Sequence, residues 1–349
     1  MAIVLGIGAF AGFGNQDAIL AVENVEVPKI PMRDRADLAS RQNIEMTRDL
    51  TTGEVPTERL LQAKKYKDEL LATQRAPLVV NWVERGPNNV GGRTRALLVD
   101  PNDGTGNTLW AASVAGGLYK TTNINAANPN WAPVNDLFAN LAVTCLASDP
   151  SNSQVMYFGT GEGYLNSDAV RGLGVWKTSD GGLNWAQLPS TANATYRYCQ
   201  RIVVTSTGVV LVGTKSGLQR SADGGATWVR VLGSGMGITG AGSNTVWDID
   251  IAGNGDIFAS LEGSIHKSTD GGVTFGAAQT LPVAASRIEF GCAPSDANYA
   301  YAIIEGANTV NRVIRTTDGG ATWTSRNEPA DADTGIPNSD CSRGQAWYD

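Results

Sequence analysis

The chain has 349 residues, 42% of them hydrophobic, a formal net charge of -7 and a pI near 4.9. That length can bury a full core, and an acidic chain with no Lys/Arg run excludes binding to a phosphate backbone. Four widely spaced cysteines without a CxxC pair exclude a thiolate zinc site, and the single histidine, His266, sits in a strand with no Gly-x-Ser-x-Gly elbow to complete a triad.

Residues 1–14 begin with the apolar run "MAIVLGIGAFAGF", whose Ala9-Phe10-Ala11 has the form of a signal-peptidase site. The run is too short to span a bilayer; it reads as a signal-peptide remnant, with a buried strand or disordered tag as the alternative. Residues 15–78 form a charged arm with one amphipathic helix expected over 57–75, where Leu60, Leu61, Leu70 and Leu71 fall at helical spacing and Thr57 is the N-cap. Its mixed charges describe a solvated face rather than a partner-binding one.

From residue 79 the chain repeats. "KTSDGGLNW", "RSADGGATW", "KSTDGGVTF" and "RTTDGGATW" place Asp180, Asp223, Asp270 and Asp318 at spacings of 43, 47 and 48 residues, the length of a four-stranded propeller blade. Strand rules parse five such units between 82 and 327, the first with Asn123 in place of the aspartate. "VVNWVERG" (79–86) reads as an orphan fourth strand and "GQAWYD" (344–349) as the first strand of a sixth unit, so an all-β propeller truncated in its sixth blade is expected over 79–349. In each box the Asp accepts backbone N–H groups, the glycines supply positive φ, and the aromatic (Trp185, Trp228, Phe275, Trp323) packs between sheets. The boxes are expected to be fold staples rather than chemistry.

These motifs resemble the Asp-box (BNR-repeat) propellers, which include sialidases, xyloglucanase-type glycosidases and the sortilin/VPS10 domain. "WVERGPNNVGGRTRALLVDPND" and "GTGEGYLNSDAVRGLGVWKTSDGG" are similar to secreted sortilin-like or glycosyl-hydrolase-like repeat proteins of Bacteroidetes-type bacteria. The resemblance implies a secreted or cell-surface protein, handled by bacterial secretion machinery of the type IX kind, with a ligand face opposite the boxes.

On that face the blade parsing places Arg93, Glu162, Tyr164, Asp168, Arg171, Arg197, Tyr198, Arg201, Glu262, Arg287, Glu289 and Glu305. Arg93, Arg201 and Arg287 start innermost strands and either converge on a ligand carboxylate or pair with neighbouring glutamates. The candidate ligand residues are Arg93, Glu162, Tyr164, Arg171, Arg201 and Arg287; the candidate catalytic acids are Glu162, Glu262 and Glu305. A xyloglucanase-type acid is missing from the first unit, where Ser113 and Val114 stand. The expectation is therefore a non-catalytic propeller recognising a glycan or protein ligand. The alternatives are a xyloglucanase-like or sialidase-like glycoside hydrolase and a sortilin-like structural module. No cofactor, metal, nucleic-acid or membrane-spanning role is implied, and Cys199 with Cys341 is the expected disulfide if one forms.

Overall fold

The computed structural model describes residues 36–56, 59–73, 93–164, 169–233, 244–306 and 309–327. The signal-like segment, the strands expected at 79–86 and 344–349, Asp168 and Cys341 lie outside the described residues. The chain divides into two compact units, Met1–Pro56 and Thr57–Asp349. The first holds a helix, α1 (Ala36–Thr47), that the periodicity reading missed. Its residues are largely good helix formers, but Leu38, Ile44 and Met46 are exposed, so no apolar stripe marks it. The second unit begins with the expected helix, α2 (Arg59–Thr73), braced by an i,i+4 contact of 2.7 Å between Lys64 and Asp68.

Five antiparallel sheets follow. The first is β1 (Thr94–Val99), β2 (Leu109–Ser113), β3 (Gly117–Thr121) and β4 (Ala132–Pro133). The second is β5 (Val143–Asp149), β6 (Asn152–Thr160), β7 (Val175–Thr178) and β8 (Ala186–Gln187). The third is β9 (Cys199–Val204), β10 (Val210–Thr214), β11 (Gly217–Ser221) and β12 (Val229–Leu232). The fourth has β13 (Val246–Ile251), β14 (Ile257–Leu261) and β15 (Ser264–Ser268), and the fifth β16 (Arg287–Cys292), β17 (Ala300–Gly306), β18 (Thr309–Thr316) and β19 (Thr324–Arg326). In the fourth sheet the expected last strand runs beside β15 as an irregular segment, with Gly276 N–H donating to Lys267 O at 2.9 Å and Gln279 N–H to Ile265 O at 2.8 Å. Its Gly-Ala-Ala stretch offers no β-branched or aromatic side chain to hold a regular pleat.

The first strand of each sheet lies against the first strand of the next, so the sheets form a propeller arrangement. Alternation along each strand then serves two cores. Met156 and Phe158 point toward Trp110 and Leu118 of the first sheet, whereas Tyr157 between them points toward Ile202 and Val210 of the third. Leu211 meets Ile249 and Ile257, and Phe258 meets Ile288 and Ile304. Apolar burial on both faces, worth roughly 25 cal/mol per Å², is thus the cohesive force between blades.

The Asp-Gly-Gly turns set the spacing between those faces. In each, a Ser or Thr hydroxyl accepts the N–H of the second glycine and donates to the Asp: Ser221 takes Gly225 N–H at 2.8 Å and gives its proton to Asp223 at 2.8 Å. Asp223 also accepts Thr227 N–H at 2.9 Å and Thr227 Oγ1–H at 2.6 Å. The same pattern holds at Asp180, Asp270 and Asp318. Asn123 does likewise with its amide oxygen, accepting Asn130 N–H at 2.9 Å and the Thr121 hydroxyl at 2.8 Å. The second glycine is pressed against the preceding blade: at Gly225, with φ +97°, a Cβ would lie 2.4 Å from Leu188 Cδ1. The box aromatics reach the same way, Trp185 to Trp110 at 6.1 Å and Trp323 to Phe258 at 6.2 Å between ring centroids.

These hydrogen bonds hold the Asp180 and Asp318 carboxyls down at about 2, below the ordinary value of 3.8, and depress Asp223 and Asp270 as well. A depressed folded value means the stabilisation is present above the unfolded-state pKa and is lost as pH falls through the folded one. Asp223→Ala is expected to lower the thermal unfolding midpoint by a few degrees and Asp223→Asn to retain most of it, since Asn123 already fills that role. Gly225→Ala is expected to cost about 1–2 kcal/mol through its left-handed φ and its contact with Leu188. Calorimetry of the three variants, and of the parent chain between pH 5 and 2, checks both statements.

Candidate functional site

In an antiparallel blade the first strand starts at the end opposite the third-to-fourth turn. The strand starts and the second-to-third hairpins therefore share the face away from the Asp-Gly-Gly turns. Glu162 and Tyr164 leave the end of β6 there. Gly161, with φ +96°, lets the backbone pass so close to Arg197 that a Cβ would sit 2.0 Å from its carbonyl oxygen. Glu162 N–H bonds Val170 O at 2.9 Å across the loop. The Glu162 side chain is buried, with Arg93 Nη1 3.7 Å away. Lys215 also feels Glu162, although burial pulls the lysine below its usual value.

Tyr164 spans the axis. Its ring stacks on Trp247 of β13 with centroids 5.8 Å apart and an interplanar angle of 25°. The guanidinium of Arg95, from β1, lies 4.2 Å from the ring centre and that of Arg287, from β16, 5.0 Å from it. One side chain of the second blade thus touches the first, fourth and fifth, and its burial pushes the phenol above its ordinary value.

Beneath it the inner strands are joined by carboxylates. Arg201 Nε, on β9, is 3.2 Å from Asp248 Oδ1 on β13, and Asp248 Oδ2 accepts Phe290 N–H of β16 at 2.8 Å. Asp250 repeats the link, accepting Cys292 N–H at 2.7 Å. Glu289 accepts from Arg287 and is 3.5 Å from Arg95 Nη2. Burial lifts Asp248 to about 7, against the pull of Arg201 and with help from Glu289, while Asp248 holds Arg201 above its usual value.

Of the sequence-predicted residues, Arg93, Glu162, Tyr164, Arg201 and Arg287 stand at this face, each guanidinium facing a carboxylate. Arg171 contributes its carbonyl, which accepts Asn140 Nδ2–H at 2.8 Å. Glu262 occupies a hairpin turn at φ 51° and accepts Thr245 N–H at 2.6 Å. Glu305 is buried opposite Arg287 in the β16–β17 register. Arg95, Trp247 and Asp248 were missed, although "VWDIDI" carried a signal: two acids in an inner strand between apolar residues are charges destined for an interior. His266 is held in its hairpin by Gly276 O at 2.9 Å and Ser264 Oγ at 3.1 Å. A separate open cleft of about 500 Å³ lies between α2 and the rim of the second sheet, lined by Phe138, Trp176, Trp185 and Gln187, and holds none of the predicted ligand residues. Among the described residues no helix is long and apolar enough to cross a membrane, and no group of three or more His, Cys, Asp or Glu could hold a metal ion.

A raised folded value destabilises the ionised form, so the Asp248 contribution is fully favourable below the unfolded-state pKa near 4 and is lost as pH rises through 7. Asp248→Asn is expected to flatten the fall in unfolding midpoint between pH 4 and 7; an unchanged slope would place the titration elsewhere.

No family model matches the chain. It is 26% identical over 239 residues to a Paenibacillus xyloglucanase, covering 64% of this chain and 20% of that protein. An ancestral GH74 enzyme superposes with a TM-score of 0.52 at 17% identity over 70% of this chain and 34% of its own. A GH74 xyloglucanase from Xanthomonas campestris gives 0.45 at 16% identity over 69% and 46%. The chain spans about a fifth of the curated relative and a third of the ancestral enzyme. The sequence likeness corrects the expectation of a non-catalytic recognition module and of a non-enzyme: the curated relative is a glycan-cleaving enzyme, which favours the hydrolase alternative. The ancestral enzyme's likeness supports a GH74-related, propeller-like fold.

Proposed function

We propose that the chain is the propeller portion of a secreted glycoside hydrolase of the xyloglucanase type, with the axial face contacting a neutral hemicellulose. The observation that carries this reading is the 239-residue likeness to a xyloglucanase. The site chemistry supports it. Burial pushes the Asp248 carboxyl above its ordinary range, and the partly exposed Glu289 lies on the same face, two carboxyls of the kind glycoside hydrolysis uses. Arg93, Arg201 and Arg287 each face a protein carboxylate, which disfavours an acidic sugar and hence the sialidase-like alternative. Arg93, Arg201 and Glu289 remain exposed enough to meet a ligand, with Glu162 placed 3.7 Å from Arg93. The four turns support Asp-box membership, and a polymeric substrate suits an extracellular location.

The expected outcome is retarded migration of the chain in native gels containing xyloglucan and release of reducing ends from it. Arg201→Ala should weaken retention about tenfold, and Glu289→Gln or Asp248→Asn should lower turnover by about 100-fold or more. A chain that is neither slowed by xyloglucan nor cuts it contradicts the reading.

A further inference from the structure

Two cysteines meet where the second and third sheets join. Cys145 on β5 and Cys199 at the start of β9 are buried thiols in the core between these sheets. Each sits where its sheet shifts register, Cys145 against β6 and Cys199, through its partner Thr214, against β10. Such irregularities re-aim side chains, and here both point into one interface.

Gly159 lies opposite the Cys145 position in the β5–β6 register. A Cβ at this glycine would be 2.6 Å from Cys145 Sγ, 2.6 Å from Cys199 Cβ and 3.5 Å from Cys199 Sγ. Gly159 has no positive φ, so it is room, not backbone conformation, that requires a glycine here. The two cysteines occupy the space a side chain would need, and Cys199 takes the seat of a cross-strand neighbour of Cys145. Successive residues of β5 hold it there: Thr144 Oγ1 donates to Cys199 O at 2.6 Å, and Cys145 Sγ faces the same carbonyl at 3.8 Å. Cys292 packs in the separate core of the fourth and fifth sheets.

We propose that Cys145 and Cys199 form a disulfide that joins the innermost strands of the second and third blades and closes as the chain folds. One cysteine thiolate attacks a small-molecule disulfide such as oxidised glutathione and expels one thiol; the second cysteine displaces the other. The Sγ–Sγ bond forms as two S–H bonds break, and the two electrons and two protons leave on the two glutathione thiols. Burial pushes the Cys145 thiol up to about 11 and raises Cys199 as well. The attacking thiolate is therefore scarce once the sheets have packed, which assigns the exchange to folding. The bridge takes the place of the Cys199–Cys341 pairing expected from the sequence, and it does not depend on the hydrolase reading.

The test uses the full chain, reduced in urea, dialysed into a mixture of reduced and oxidised glutathione, then denatured with N-ethylmaleimide, digested and mapped by mass spectrometry. The expected result is a peptide pair joined through Cys145 and Cys199, with maleimide on Cys292 and Cys341. Maleimide on all four cysteines, or Cys199 joined to Cys341, would overturn the proposal. A chain folded beforehand under reducing conditions should acquire the bridge at least about tenfold more slowly in the same mixture; equal rates contradict closure during folding. The bridged chain should unfold about 5 °C or more above its reduced form, and a reduced form of equal stability contradicts a joint between blades. These results need only the parent chain. Cys145→Ala should leave Cys199 open to maleimide and remove the response of the unfolding midpoint to oxidation; a response that persists in this variant also counts against the pairing.

Discussion

The distance between neighbouring sheets is set where the second glycine of a turn touches the blade before it. At Gly182 a Cβ would fall 2.4 Å from Trp110 Cη2, and at Gly320 2.6 Å from Phe258 Cε1. Only a residue without a side chain, in a left-handed conformation, allows that approach, and the Ser/Thr and Asp hydrogen bonds fix the conformation. With the gap so determined, the two-sided strands fill it from both faces, and packing density does the rest.

The axial face inherits its geometry from this spacing. Once the first strands are brought side by side, their inward positions converge, and polar groups there must find partners. Asp248 and Asp250 serve the N–H groups of β16, Arg201 serves Asp248, and Glu289 receives two guanidiniums. Tyr164 and Trp247 close over this network from two different blades. The outcome is a polar centre in which the carboxyls are tied to guanidiniums and backbone N–H groups of neighbouring blades, with burial pushing Asp248 above its ordinary range.

Much of this fold was legible in the chain itself. The repeat spacing, the strand grammar and the turn chemistry are local, and local rules recover them; the first box reads as decayed, and only the structure shows Asn123 making the aspartate's hydrogen bonds. The irregular fourth segment of the fourth sheet and α1 were not, because a Gly-Ala-Ala run and a helix without an apolar stripe carry no strong periodicity. The site was half legible. Residues at strand starts and on the long loop were named because topology alone puts them on one face. Arg95, Asp248 and the Tyr164–Trp247 contact depend on which residues meet across the axis, and that depends on how several sheets are rotated about it. No pattern within one repeat encodes that rotation.

The most direct measurement is a crystal structure of the chain grown with a xyloglucan oligosaccharide. The expected result is saccharide density on the axial face, in contact with Arg93, Arg201 or Glu289, with the Tyr164 cage intact beneath it. Saccharide bound only at another surface, or an axial face that stays closed to saturating ligand, would contradict a glycan-cleaving role for this site.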